Sequence, residues 1–164
     1  MQALTQKYAI VCFQDTLPLG YEFSMDSWPP HVTVADVFAI DSKPSQLFED
    51  LRKHLDRHAV LHAQTTSEEW FGEKKTIRVA LIEKTKELFE LHEEILNVLE
   101  GHGVVFNNPE YTHLGFLPHT SLKESDVFKK GVVMTFDAIS LVDMFPDENP
   151  SRRKILGTIN FQKF

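Results

Sequence analysis

Cysteine is all but missing: Cys12 is the only one in 164 residues. That excludes an intrachain disulfide and a zinc site built on cysteine, and it suits a reducing cytoplasm, the expected location. Positive charge is also in short supply. Lys and Arg number 17 against 24 Asp and Glu, a formal net charge of −7. Such a deficit argues against broad binding along nucleic-acid backbones, though it leaves room for a small basic pocket for one or two phosphates. Long apolar runs are missing too. The longest are strand-sized, far below the roughly 20 residues a membrane helix needs. The first residues lack a basic stretch followed by an apolar run and a small-residue cleavage site, so neither a leader nor a membrane association is expected. There is no low-complexity segment and no clear linker. What remains is an ordinary globular composition, with 42% hydrophobic and 25% charged residues. That is enough for one domain with a real core over residues 1–164 and short for two independent ones.

Patterning places the elements. Tyr8 to Phe13 and His31 to Phe38 read as strands, separated by a loop with Pro18, Gly20, Pro29 and Pro30. Leu47, Phe48, Leu51 and Leu55 follow helical spacing, predicting a helix from Ser45 to about His58 behind Ser42 and Pro44. Val60 to Thr66 and Thr76 to Ile82 read as strands, with Trp70-Phe71-Gly72 in a connection. A second helix begins at Thr85, with Leu88, Leu91, His92, Ile95 and Leu99 on one stripe and Gly101 near its end. Residues 104–118 are broken by turn formers. His119 to Leu122 reads as a short strand and Ser125 to Lys130 as one helical turn. Val132 to Met144 and Lys154 to Phe164 read as the last strands.

Two segments rhyme: Pro30-His31-Val32-Thr33-Val34 and Pro118-His119-Thr120-Ser121-Leu122. Alternate side chains of a strand share a face, so His31 projects with Thr33 and His119 with Ser121. Each unit offers an imidazole and a hydroxyl about 7 Å apart. The other six histidines have no hydroxyl residue two positions on. Chance occurrence of two such units, both preceded by proline, is roughly 1 in 10,000. The chemistry is legible as well. A phosphodiester needs one proton removed from the attacking oxygen and one given to the leaving oxygen, and two imidazoles near neutrality do both if one is neutral and one charged. Hydroxyls can donate to the non-bridging oxygens. Which histidine is acid and which is base stays open at this point.

The duplicated His-x-Ser/Thr-apolar unit resembles the 2H phosphoesterase superfamily, which includes LigT-like 2′-5′ RNA ligases and cyclic nucleotide phosphodiesterases. The resemblance extends over nearly the whole chain. It implies an α+β, bilobal, pseudo-twofold fold: two antiparallel sheets lining a central cleft, with helices outside. It implies catalytic roles for His31 and His119, phosphate-binding roles for Thr33 and Ser121, and neither metal nor cofactor. The expected substrate is an RNA end or small nucleotide with a 2′,3′-cyclic phosphate or 2′-5′ linkage. Ligation in reverse, or a non-catalytic nucleotide- or RNA-binding module, is the alternative. No obligate protein partner is indicated.

Further candidates surround the motifs. Lys123 directly follows the second one, and Arg152-Arg153-Lys154 forms a basic run from which Arg153 is expected at the rim of an anionic site. Trp28 and Tyr111 are candidate base-stacking residues, and Phe116 is expected in the core. His54, His58 and His62 lack the carboxylate or cysteine that would complete a metal set.

Overall fold

The computed structural model describes residues 6–163. Six strands form one antiparallel sheet: β1 (Tyr8–Phe13), β2 (Glu22–Ser24), β3 (His31–Ala39), β6 (Val105–Phe106), β9 (Ala138–Asp143) and β10 (Arg152–Asn160), in the order β2-β10-β9-β1-β3-β6. Four form a second antiparallel sheet: β4 (Leu61–Phe71), β5 (Ile77–Ile82), β7 (His119–Ser121) and β8 (Val133–Phe136), in the order β7-β5-β4-β8. Helices α1 (Pro44–Leu55) and α2 (Lys86–Glu100) pack on each other and on both sheets. The α+β class and the two-sheet arrangement are as expected.

Burial explains the sequence pattern of β1. All six of its residues are buried, because alternate side chains feed two different cores. Tyr8, Ile10 and Cys12 join the main core under the helices. Ala9, Val11 and Phe13 join a smaller one with Phe23, Val142 and Ile155, against which Trp28 packs. A strand covered on both faces shows a continuous apolar run where a one-sided strand would alternate. The helices are amphipathic. Leu47, Leu51 and Leu55 of α1 and Leu88, Leu91, Ile95 and Leu99 of α2 are fully or almost fully buried. Thr85 caps α2 by accepting the Leu88 N–H at 3.1 Å, and Pro44 opens α1, where it forfeits no hydrogen bond.

Several elements differ from the sequence reading. The stretch 132–144, read as one strand, is two. The chain changes sheets at Asp137: β8 pairs with β4, while β9 pairs with β1 and β10. Trp70 and Phe71 belong to β4, a strand of 11 residues, and the connection begins at Gly72, whose φ of +92° suits glycine. Residues 125–130 form no helical turn. They are held by a local turn in which Asp126 accepts the Lys123 N–H and returns its own N–H to the Lys123 carbonyl. Helix α1 ends at Leu55, before His58, and β10 ends at Asn160. Phe164 lies outside the described residues.

The chain from 109 to 118 delivers the second motif through two single 3-10 turns, Pro109–Tyr111 and His113–Gly115. A Cβ at Gly115 would lie 1.9 Å from the Glu110 carbonyl oxygen, which is backbone and cannot swing aside. Gly115→Ala is therefore expected to cost about 1–3 kcal/mol, read as a lower urea midpoint. An unchanged midpoint would contradict this path of the chain.

Candidate active site

His31 opens β3 and His119 opens β7, so the two sheets each present one motif where they meet. The two imidazoles are held alike. His31 Nδ1 lies 2.9 Å from the Pro29 carbonyl oxygen, and His119 Nδ1 lies 2.8 Å from that of Leu117. Each acceptor stands two residues upstream, across the motif's proline. A carbonyl can only accept, so each Nδ1 carries a proton and each Nε2 is left for other work. Each ring also has an aromatic wall. Trp28 tilts over His31 with centroids 4.6 Å apart, and Phe71 meets His119 edge-on at 4.8 Å. Both histidines are half-buried, within reach of solvent. Burial pushes His31 below the usual imidazole range. Its Pro29 hydrogen bond opposes this, and the charge of His119 adds to it. The contact of β3 with β7 brings the two motifs to the same cleft.

Two cavities flank the pair, and the motifs contribute to them crosswise. A cavity of about 210 Å³ is lined by His119 together with Thr33 of the other motif. A cavity of about 640 Å³ is lined by His31 together with Ser121. Each histidine thus shares a cavity with the hydroxyl residue of its counterpart, which suits a tetrahedral anion held between the strands. The smaller cavity adds Phe71, Tyr111 and Phe116, and the larger adds Trp28, Thr120 and Lys123. Phe116 is also buried in the main core, as expected.

A buried imidazole ties both motifs to one helix. His92 of α2 donates from Nδ1 to the Val34 carbonyl at 2.7 Å, while its Nε2 accepts the His113 N–H at 3.0 Å. Its ring stacks on Phe116 at 4.0 Å with planes 2° apart. Val34 belongs to the first motif, and Phe116 adjoins the Leu117 carbonyl that orients His119. Lys84 secures the same segment by donating to the Leu114 and Phe116 carbonyls. His92 is thus more than one position in an apolar stripe.

The arginine expected at the rim is a correction. Arg153 is buried, and its Nη1 donates to the carbonyls of Met144, Pro150 and Arg152. Its guanidinium also lies 5.9 Å from the Trp28 ring. Strand β10 alternates, and position 153 falls on the inward phase. The residue supports the wall behind His31 from underneath. Three contributors escape the sequence reading. The glycine after Phe71 points to a connection, though Phe71 is the last residue of a strand of 11 residues. Arg78 donates to the Lys123 and Asp126 carbonyls at 2.6 Å and pairs with Glu68 at 3.0 Å, fixing the loop after the second motif. Asp36 lines the smaller cavity, and no sequence signal marks it.

The remaining histidines disperse. His54 and His58 use Nδ1 on nearby carbonyls, and His62 meets Thr135. His102 bridges Ser42 and Asp50, tying the end of α2 to α1. Among the described residues, no group of three or more His, Cys, Asp or Glu is placed to hold a metal ion. No helix among them is long and apolar enough to cross a membrane.

Two antiparallel sheets meeting at a cleft, with two helices packed on them, make a LigT-like fold. The chain belongs to the 2′-5′ RNA ligase superfamily, a group of phosphoesterases and RNA ligases: that family's model matches residues 18–128, a span containing both motifs. LigT of E. coli complexed with NADP+ superposes with a TM-score of 0.59 at 13% identity, covering 98% of this chain and 99% of that one. LigT complexed with 3′-AMP gives 0.57 at 13%, covering 96% and 98%. The protein TT0787 of Thermus thermophilus gives 0.55 at 14%, covering 94% and 97%. No curated protein matches the sequence. Identities this low carry the fold and leave the substrate open.

His92 generates a prediction. Burial, aided by His113 and Lys84 and opposed by the Val34 bond and Glu93, holds it below the usual imidazole range. The folded state therefore prefers the neutral ring, while the unfolded chain takes up a proton below about pH 6.5. Stability is full above that value and falls as the pH drops through it. His31 is shifted the same way and adds to the loss. The urea midpoint should drop between pH 7 and pH 5, and His92→Gln should drop less over that interval. An equal drop in both proteins would contradict a neutral, tethered His92.

Proposed function

We propose that this chain is a metal-independent phosphodiesterase that opens 2′,3′-cyclic phosphates or cleaves 2′-5′ linkages at RNA ends or in small nucleotides. One observation carries the reading: two imidazoles tied alike at Nδ1, each sharing a cavity with the hydroxyl residue of the other's motif. The nucleotide complexes of LigT support a nucleotide ligand.

The roles follow from the electrostatics. His31, held toward its neutral form, is the base. Its Nε2 takes the proton of a water entering from the larger cavity as the water oxygen bonds to phosphorus. His119, as the acid, gives an Nε2 proton to the ribose oxygen that leaves on the side of the smaller cavity. Thr33 and Ser121 donate to the non-bridging oxygens, where charge accumulates, and Lys123 adds a positive charge at the larger cavity. Trp28 and Tyr111 offer flat faces on the two sides. After one turnover the two histidines have exchanged protonation states, and solvent resets them. With a ribose 5′-hydroxyl in place of water and the same roles, its oxygen bonds to the phosphorus of a 2′,3′-cyclic phosphate as the P–O3′ bond breaks, and the same site forms a 2′-5′ bond.

Each proton transfer is worth about 100- to 10,000-fold in rate. His31→Ala and His119→Ala should each lower kcat/KM on a 2′,3′-cyclic nucleotide by that range, with a bell-shaped pH profile in the unmodified protein and undiminished activity in EDTA. Full activity in either variant, or a requirement for an added divalent cation, would overturn the proposal.

A further inference from the structure

We infer that the smaller cavity is a nucleobase subsite in which Asp36 selects guanine; its placement beside the scissile phosphate rests on the phosphodiesterase reading above. Strand β3 carries a register fault against β1. In a regular strand starting at His31, residues 32, 34 and 36 share the face turned away from the cleft. Residues 32 and 34 obey: Val32 and Val34 are fully buried. Position 36 does not. Thr33 pairs with Val11, but Ala35 pairs with Ile10, so β3 advances two residues while β1 advances one. The extra residue is a bulge, and it inverts the phase. Val34 and Ala35 are both buried, and Asp36 emerges half-exposed in the wall that contains Thr33 and His119. Bulges beside active sites commonly re-aim a side chain in this way.

A carboxylate without a cation repels anions, so Asp36 itself suits a neutral hydrogen-bond donor of the substrate and not its phosphate. No Lys, Arg or His among the described residues forms an ion pair with it. One oxygen, Oδ1, accepts the Val37 N–H at 2.9 Å. The other, Oδ2, has only the Asn108 amide at 3.5 Å, the outer limit of a hydrogen bond. Acceptor capacity is therefore left at the wall of a cavity that Phe71 and Tyr111 also line, with Phe116, Leu117, Thr33 and His119. Aromatic faces stack on any base without reading it. At about 210 Å³ the space is smaller than the roughly 300–1,000 Å³ of drug-sized sites, which suits one ring system.

Base chemistry then decides. Guanine presents N1–H and an N2 amino group side by side, two adjacent donors for a carboxylate. Adenine and cytosine each set a ring-nitrogen lone pair beside their amino group. Uracil flanks its single N–H with two carbonyl oxygens. Guanine alone meets Asp36 without a repulsive acceptor.

The experiment compares the 2′,3′-cyclic phosphates of the four nucleosides as substrates, and the four nucleoside 3′-monophosphates as calorimetric ligands. Both are measured on the unmodified protein and on Asp36→Asn, which keeps an acceptor oxygen for the Val37 N–H. A bidentate contact predicts about tenfold or greater preference for guanosine over uridine in kcat/KM and in affinity, reduced to about threefold or less in Asp36→Asn. Equal handling of all four bases with normal turnover overturns the guanine subsite and leaves the hydrolytic reading intact, and so does a preference that Asp36→Asn does not change. Guanine-selective binding without turnover supports the subsite and overturns the hydrolytic reading. Binding of no nucleotide overturns both.

Discussion

Everything at the cleft depends on a hydrogen bond made twice, from an imidazole Nδ1–H to the carbonyl two residues upstream. The bond fixes each ring's tautomer and turns each Nε2 outward. Proline in between explains how so short a link is built. Its fixed φ and missing N–H commit the preceding residue to an extended path, which carries that residue's carbonyl back toward the ring. The two copies are buttressed by unlike means. Trp28 over Arg153 stands behind His31, while Phe71, His92 and Lys84 hold the ring and approach of His119. The motif is duplicated, and the scaffolding around it is not.

Electrostatics reconcile an acidic chain with an anionic substrate. A net charge of −7 disfavours a long track of phosphate contacts, but one phosphorus centre needs only local donors. The cleft provides hydroxyls, imidazole nitrogens and Lys123. Arg78 and Arg153 satisfy backbone carbonyls, shaping loops while adding little charge to the cavities.

The motif histidines, their hydroxyl partners and the two helices are legible because each follows a local rule: period two along a strand, or period 3.6 with a cap. Features created by long-range pairing are not. The switch of sheets at Asp137 is invisible in a strand-like stretch that no glycine or proline interrupts, since only the pairing shows which sheet each half joins. Arg153 reads as part of a charged surface run until the partners of β10 fix which of its faces is inward. Asp36 depends on a bulge, and a bulge exists only in the pairing of two strands. Phe71 is lost to the glycine that follows it. The short strands β2 and β6 carry too few residues for any periodicity to show.

A crystal structure of the protein with inorganic phosphate tests the central claim most directly. The geometry predicts a single anion with Nε2 of His31 and Nε2 of His119 each within about 3.2 Å of its oxygens, and the Thr33 and Ser121 hydroxyls turned toward it. Phosphate touched by one imidazole only, or bound while either ring presents Nδ1 to it, would contradict a shared phosphorus centre.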